Sequence, residues 1–261
     1  MASEGGKIDP MHQFTVEPLV PLKVAGYDLS FTNSALFMVV VLGLIAVFMI
    51  GGLRRQVVPT RWQVAVEGVT GFISNMMVQN VGPEGRKYVP YVFSLFMFIL
   101  TANLLGMMPL GIIPGVHPFT VTSHVTVTGV LAIISFSIVL IVGFARHGLH
   151  FFSLFVPQGT PAVMVPLLFV IELFSFMVRP FSLALRLFVA MTAGHILMKV
   201  LAGFVVNSLN AEALWVAPLV AIPSFILMVG ITVLELLVCA IQAYVFALLT
   251  SVYLNDAVNL H

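Results

Sequence analysis

The chain has 261 residues, 60% of them hydrophobic and only 8% charged, with a mean hydropathy of +1.12 and a formal net charge of +1. A soluble domain carries about 25% charged residues, so this composition excludes one and points to an all-α polytopic membrane protein. The near-zero net charge gives no reason to expect nucleic acid as a partner, and the single cysteine, Cys239, excludes an intramolecular disulfide framework.

Residues 1–33 read as an extramembrane segment. MASEGGKIDPMHQFTVEPLVPLKVAGYDLS mixes charges with Pro and Gly and has no basic start followed by an apolar core, so no cleaved leader is expected. Residues 34–261 read as one transmembrane domain. A helix needs about 20 apolar residues to cross hydrocarbon, and residues 34–53 qualify before the run stops at Arg54 and Arg55. RWQVAVEGVTGFISNMMVQNVGPEGRKY follows, its apolar residues at helical spacing interrupted by Glu67, Ser74, Asn75 and Gln79. That is the pattern of an amphipathic helix lying at the interface. A second span is expected over 91–113 and a third over 128–145, with PGVHPFTVTSHVTVTG as the loop between them. After Arg146 and His147, the aromatic segment HFFSLFVPQGTP suits the membrane surface. Two stretches of unusual length, 162–206 and 213–254, close the chain and are joined by NSLNAE. As helices each would run about 60 Å against about 30 Å of hydrocarbon. Each must therefore be steeply tilted, kinked or broken, and Pro166, Pro180, Pro218 and Pro223 are the places to bend. Arg54, Arg55, Arg61, Arg86 and Lys87 lie between spans one and two and Arg146 follows span three, so these loops are expected in the cytoplasm, with the N-terminus outside and the C-terminus inside.

Ionisable side chains inside a membrane are costly and mark function by default. Glu172, Arg179 and Arg186 recur every seven residues and, at about 100° per residue, share one helix face. His195, nine residues beyond Arg186, falls on the opposite face. In the last stretch Thr232, Glu235, Cys239 and Gln242 form one polar stripe. Structural readings compete with functional ones: Arg179 pairs with Glu172 or reaches to the interface, His195 is a packing histidine, and Glu235 forms a static ion pair with Arg186. A buried pair that only stabilises often does no better than apolar packing. A permanently charged arginine beside titratable His and Glu instead suits a proton path with an electrostatic gate. No HExxH, Cys/His cluster, P-loop, GxGxxG or nucleophile elbow is present, so no metal, cofactor or catalysis by the chain itself is expected.

RPFSLALRLFVAMTAGH, residues 179–195, resembles the arginine motif of the bacterial a-subunit family of rotary F-type ATP synthases, the stator half of the membrane proton channel. DPMHQFTVEPL, TANLLGMMPL and LELLVCAIQAYVFALLTSVYL extend the resemblance over most of the chain in the expected order. The resemblance implies five membrane helices plus an interfacial one, the last two forming a long tilted hairpin along a rotor ring of c subunits. It implies that Arg186 faces that ring, that His195 and Glu235 line the proton access path, and that Gln242 packs near the arginine. Asn103, Glu172, Arg179 and Ser182 become supporting polar residues. The implied partners are the c-subunit ring, b-type peripheral-stalk subunits, the remaining synthase subunits and the lipid of the bacterial inner membrane. Val189 and Ala190 stand where many members have a small residue and then Asn, which leaves the polar lining near Arg186 different here. The rival reading is a secondary transporter with an intramembrane Arg/Glu site; it would favour repeated halves, and no internal repeat is evident.

Overall fold

Hydrocarbon offers a backbone N–H nothing to bond, so a chain this apolar must satisfy its peptide groups within its own helices. The computed structural model, which describes residues 15–16, 18–21, 23–24, 27–28, 30–52, 58–108, 119–156, 161, 163–209 and 216–259, is built that way. Its helices are α1 (Asn33–Gly52), α2 (Arg61–Val81), α3 (Val89–Met107), α4 (Val125–His147), α5 (Val165–Leu209) and α6 (Val216–Val258). Among the described residues five helices are long and apolar enough to cross a membrane: Asn33–Gly52, Pro83–Met107, Val125–Phe155, Val165–Ser208 and Ala217–Val258. The fold is all-α and polytopic. Before α1, Pro18–Val20 pairs antiparallel with Phe31–Thr32, and Lys23–Val24 with Tyr27–Asp28. DPMHQF, Arg54 and Arg55, PQG and the second half of NSLNAE lie outside the described residues.

α2 is the amphipathic helix. Thr60 caps it, accepting from the Gln63 N–H, and its buried side, including Val66, Ile73, Met76, Met77 and Val81, packs within the bundle. Trp62 ties it to α1 by donating to the Phe48 carbonyl at 2.9 Å. The aromatic segment expected at the membrane surface is a 3-10 turn, Gly148–Phe155, folded back under α4 at Gly148, whose φ is +54°. Phe151 and Phe155 are buried against Phe176 of α5, while Leu149, His150 and Phe152 stay exposed. The expected loop between spans two and three is likewise no open loop at its end: Phe119 to Ser123 are buried, with a 3-10 turn at Val121–Ser123 leading into α4.

α5 and α6 are continuous helices of 45 and 43 residues, about 67 and 64 Å long. Pro166 and Pro218 fall in their first turns, where a missing N–H costs nothing. Only Pro180 and Pro223 are interior, and neither breaks its helix. An unbroken helix twice as long as hydrocarbon is thick cannot stand upright in it. The two run antiparallel as a hairpin, shown by contacts that rise along one helix as they fall along the other: Arg179 with Asp256, Met191 with Cys239, His195 with Glu235.

α6 is the centre of the bundle, touching α5, α3, α4 and α2. Ala243, Ala247 and Ala257 are buried on it, small enough to let neighbouring backbones approach. Hydroxyl and amide bonds fasten the same helix, Ser135 to Thr250 at 2.9 Å and Asn80 donating to Ser251 at 2.8 Å. The end of α6 meets the end of α4 and the end of α2. His147 bonds the Val258 carbonyl at 3.2 Å, Asn259 donates to the Val81 carbonyl at 3.3 Å, and Arg146 pairs with Glu84. One end of the bundle therefore gathers Glu84, Arg146 and Asp256, with Arg86 and Lys87 in the 3-10 turn Pro83–Tyr88 that opens α3.

Candidate functional site

The antiparallel register of α5 and α6 sets His195 beside Glu235, Nδ1 to Oε1 at 3.6 Å, with both side chains almost fully buried. The close approach depends on the residue before the histidine. A Cβ on Gly194 would stand 2.6 Å from Glu235 Oε1, so any larger residue there would push the carboxylate away from its present place. The Glu235 oxygens have no hydrogen-bond partner among the described residues, and the imidazole is the polar group aimed at them. On its far side, His195 Nε2 is 2.9 Å from Thr120 Oγ1.

A second polar cluster lies one turn away. Asn103 of α3 is fully buried, accepts from Thr122 Oγ1 at 2.7 Å and donates to the Cys239 carbonyl at 3.4 Å. It thereby ties α3, the 3-10 turn before α4, and α6 together. The Cys239 thiol is packed against the sulfurs of Met107 and Met191 at 3.3 and 3.9 Å, an ordinary buried thiol. His124, at the head of α4, stacks on Phe119 at 4.8 Å, and its burial lowers its pKa from the usual histidine range.

Arg186 faces the other way. It is exposed on α5 while His195 is buried, as the opposite-face reading requires, and among the described residues it has neither hydrogen bond nor ion pair. The static pair with Glu235 is therefore not what the structure contains: Glu235 is turned to His195. Ser182, one turn before Arg186, and Val189, just after it, are exposed as well, so the α5 surface around the guanidinium is mostly apolar. Gln242 is half-buried on α6, and the Met191–Cys239 contact sets it level with the turn that carries Arg186.

Arg179 corrects another expectation. Its partner is Asp256 of α6 at 2.7 Å, not Glu172, and its guanidinium lies over the rings of Phe176 and Tyr253 at 5.2 and 5.0 Å. Glu172 is half-buried and has no ion pair among the described residues. Two turns along α5, about 10 Å, separate it from Arg179. The sequence reading missed Thr120 and Gly194. The signal for Thr120 was the polar run Thr120, Thr122 and Ser123 placed directly before an apolar span; the signal for Gly194 was a glycine beside an intramembrane histidine.

Comparison with known proteins places these residues in context. The profile of the ATP synthase A chain family matches residues 35–255. The chain is 72% identical over 263 residues to ATP synthase subunit a of Rhizorhabdus wittichii and 69% identical over 262 residues to that of Sphingopyxis alaskensis, all of each chain being covered. It is 47% identical to ATP synthase subunit a of Rhodospirillum rubrum, with 97% of this chain and 99% of that one covered.

Proposed function

The chain belongs to the ATP synthase A chain family, and from that premise we propose the route by which it conducts protons. It is the stator subunit of the membrane proton channel of a bacterial ATP synthase, a non-catalytic component of that complex and a multi-pass protein of the bacterial inner membrane. The family assignment does not favour the rival reading as a secondary transporter.

Protons enter from outside through an aqueous half-channel that reaches His195 and Glu235, and pass to a carboxylate on a rotating ring of c subunits. The neutralised ring site turns through lipid until it meets a second half-channel open to the cytoplasm, where it releases its proton. Arg186 stands between the two half-channels, attracts each ring carboxylate as it ionises, and blocks direct passage of protons because its own charge cannot be shed. Gln242 and Ser182 line the surface near it, Asn103 braces the access side, and Arg179 with Glu172 lies towards the exit. A b-type stalk holds the chain against the ring's rotation. The bundle end that gathers Arg86, Lys87 and Arg146 is the cytoplasmic one, by its excess of basic residues. The N-terminus is then outside and the C-terminus inside. Each proton crossing gains about 2.3 kcal/mol per 100 mV, so several must be coupled to each ATP made.

One observation carries the reading. α5 presents a titratable group, His195, to the interior beside Glu235, and a permanent cation, Arg186, to the outside, where among the described residues nothing neutralises it. A cation on an apolar membrane surface needs a carboxylate from another chain, and a carboxylate-bearing rotor meets that need. The test is Glu235→Gln in the assembled complex, with ATP-driven proton pumping read in inverted membrane vesicles. The expected result is loss of most pumping with the chain present at normal abundance; pumping at the wild-type rate would overturn the role of the pair.

A further inference from the structure

The polar residues that the proton path leaves unused include residues 120–123, which carry three buried hydroxyl side chains into the junction of α3 and α5. We infer that Thr120 is a positioning residue for proton transfer at His195: its hydroxyl holds the imidazole so that Nδ1 faces Glu235, and follows the ring through its change of tautomer. This rests on the reading of His195 and Glu235 as the proton path.

The geometry is specific. The two ring nitrogens lie on different edges of the imidazole, so a bond at Nε2 decides where Nδ1 points. Thr120 Oγ1 is 2.9 Å from Nε2 while Nδ1 is 3.6 Å from Glu235 Oε1. A neutral imidazole has one donor and one acceptor nitrogen, and a hydroxyl serves as either partner. With Glu235 ionised, Nδ1–H points to the carboxylate and Nε2 accepts from the Thr120 O–H. With Glu235 protonated, its O–H points to Nδ1 and Nε2–H donates to Thr120 Oγ1. One proton handed from Nδ1 to the carboxylate is matched by one that reaches Nε2 from the aqueous side through the Thr120 hydroxyl, so the ring ends neutral. The hydroxyl rotates from donor to acceptor, and the ring keeps its place.

The surroundings hold that hydroxyl in position. A Cβ on Gly106 of α3 would lie 2.5 Å from Thr120 Oγ1, so α3 admits the threonine only because residue 106 has no side chain. Ser123 Oγ donates to the Thr120 carbonyl at 2.6 Å, and Thr192 Oγ1, one turn before His195 on α5, donates to the Ser123 carbonyl at 3.4 Å. The turn that carries Thr120 is thus tied to the same stretch of α5 as the ring it touches.

The test compares Thr120→Val, which keeps the shape and removes the hydroxyl, with Thr120→Ser, which keeps the hydroxyl. Passive proton conductance of membrane vesicles stripped of the catalytic head is measured in the assembled complex, with chain abundance and head rebinding as controls, and Glu235→Gln is run beside them. The expected result is a fall of about tenfold for Thr120→Val, the rate equivalent of one lost hydrogen bond, with conductance restored by Thr120→Ser and assembly unchanged in both. Wild-type conductance in Thr120→Val while Glu235→Gln fails would overturn the inference and leave the proton path standing. Wild-type conductance in both variants would overturn the path itself, and the inference with it. If Thr120→Val does not assemble, Gly106→Ala displaces the same hydroxyl from the α3 side: lost conductance with assembly intact supports the inference, and wild-type conductance overturns it.

Discussion

Gly194→Ala isolates geometry from chemistry, because it leaves His195 and Glu235 in the chain and changes only the room between them. The added Cβ would stand 2.6 Å from Glu235 Oε1, 2.7 Å from Cδ and 3.2 Å from Cγ. Ordinary contact begins near 3.4 Å, so the carboxylate must retreat by about 0.8 Å. Overfilling a packed interior costs about 1–3 kcal/mol. Here the atoms that must move are the end of a flexible side chain, which puts the cost near the lower figure, about 1 kcal/mol. Function is more sensitive, since a misplacement of about 1 Å between reacting groups costs up to about a hundredfold in rate. ATP-driven proton pumping in inverted vesicles, followed by quenching of a pH-sensitive dye, should fall by at least about tenfold while the chain's abundance in the membrane is kept. Gly203→Ala is the control, because nothing lies within 4 Å of the Cβ it would add on the same helix. Pumping at the wild-type rate in Gly194→Ala would refute the argument that the His195–Glu235 spacing matters, and lost pumping accompanied by lost protein would show that only packing was disturbed.

The pair should also survive exchange. Because the two side chains meet across one contact, the double variant His195→Glu with Glu235→His should pump better than either single variant in the same vesicle assay, and a double variant no better than the worse single one would count against a shared proton. Arg179→Gln should destabilise the complex by on the order of 2 kcal/mol, since it leaves Asp256 without its partner and removes the cation from two aromatic rings. Thermal unfolding in detergent reads this directly; Glu172→Gln should leave the midpoint close to wild type, and an equal loss from both would point back to the Glu172 pairing.

Crossing a membrane is a property of length and composition, which is why five helices were legible as apolar runs. The 100° step along a helix was equally legible, and it set Arg186 and His195 on opposite faces, the one exposed and the other buried. Boundaries were harder to read. The third span was expected from residue 128, yet α4 begins at Val125, because Thr128 hides its hydroxyl by bonding the His124 and Val125 carbonyls of its own helix. Partners between helices left little trace along the chain. Arg179 finds Asp256, 77 residues away, because two antiparallel helices bring them level, and no local spacing encodes that. The polar run at residues 120–123 read as loop because polarity in sequence says nothing of burial, and burial there comes from α1, α3 and α5 closing around the turn.

Arg186 is the proposed barrier between two half-channels and the proposed electrostatic partner of a rotor carboxylate. Its most direct test is Arg186→Ala in inverted membrane vesicles carrying the assembled complex, with ATP-driven proton pumping recorded first and passive proton permeability recorded after the catalytic head is stripped. Pumping abolished, with assembly intact and the passive leak kept or raised, is the predicted result; pumping at the wild-type rate would contradict it.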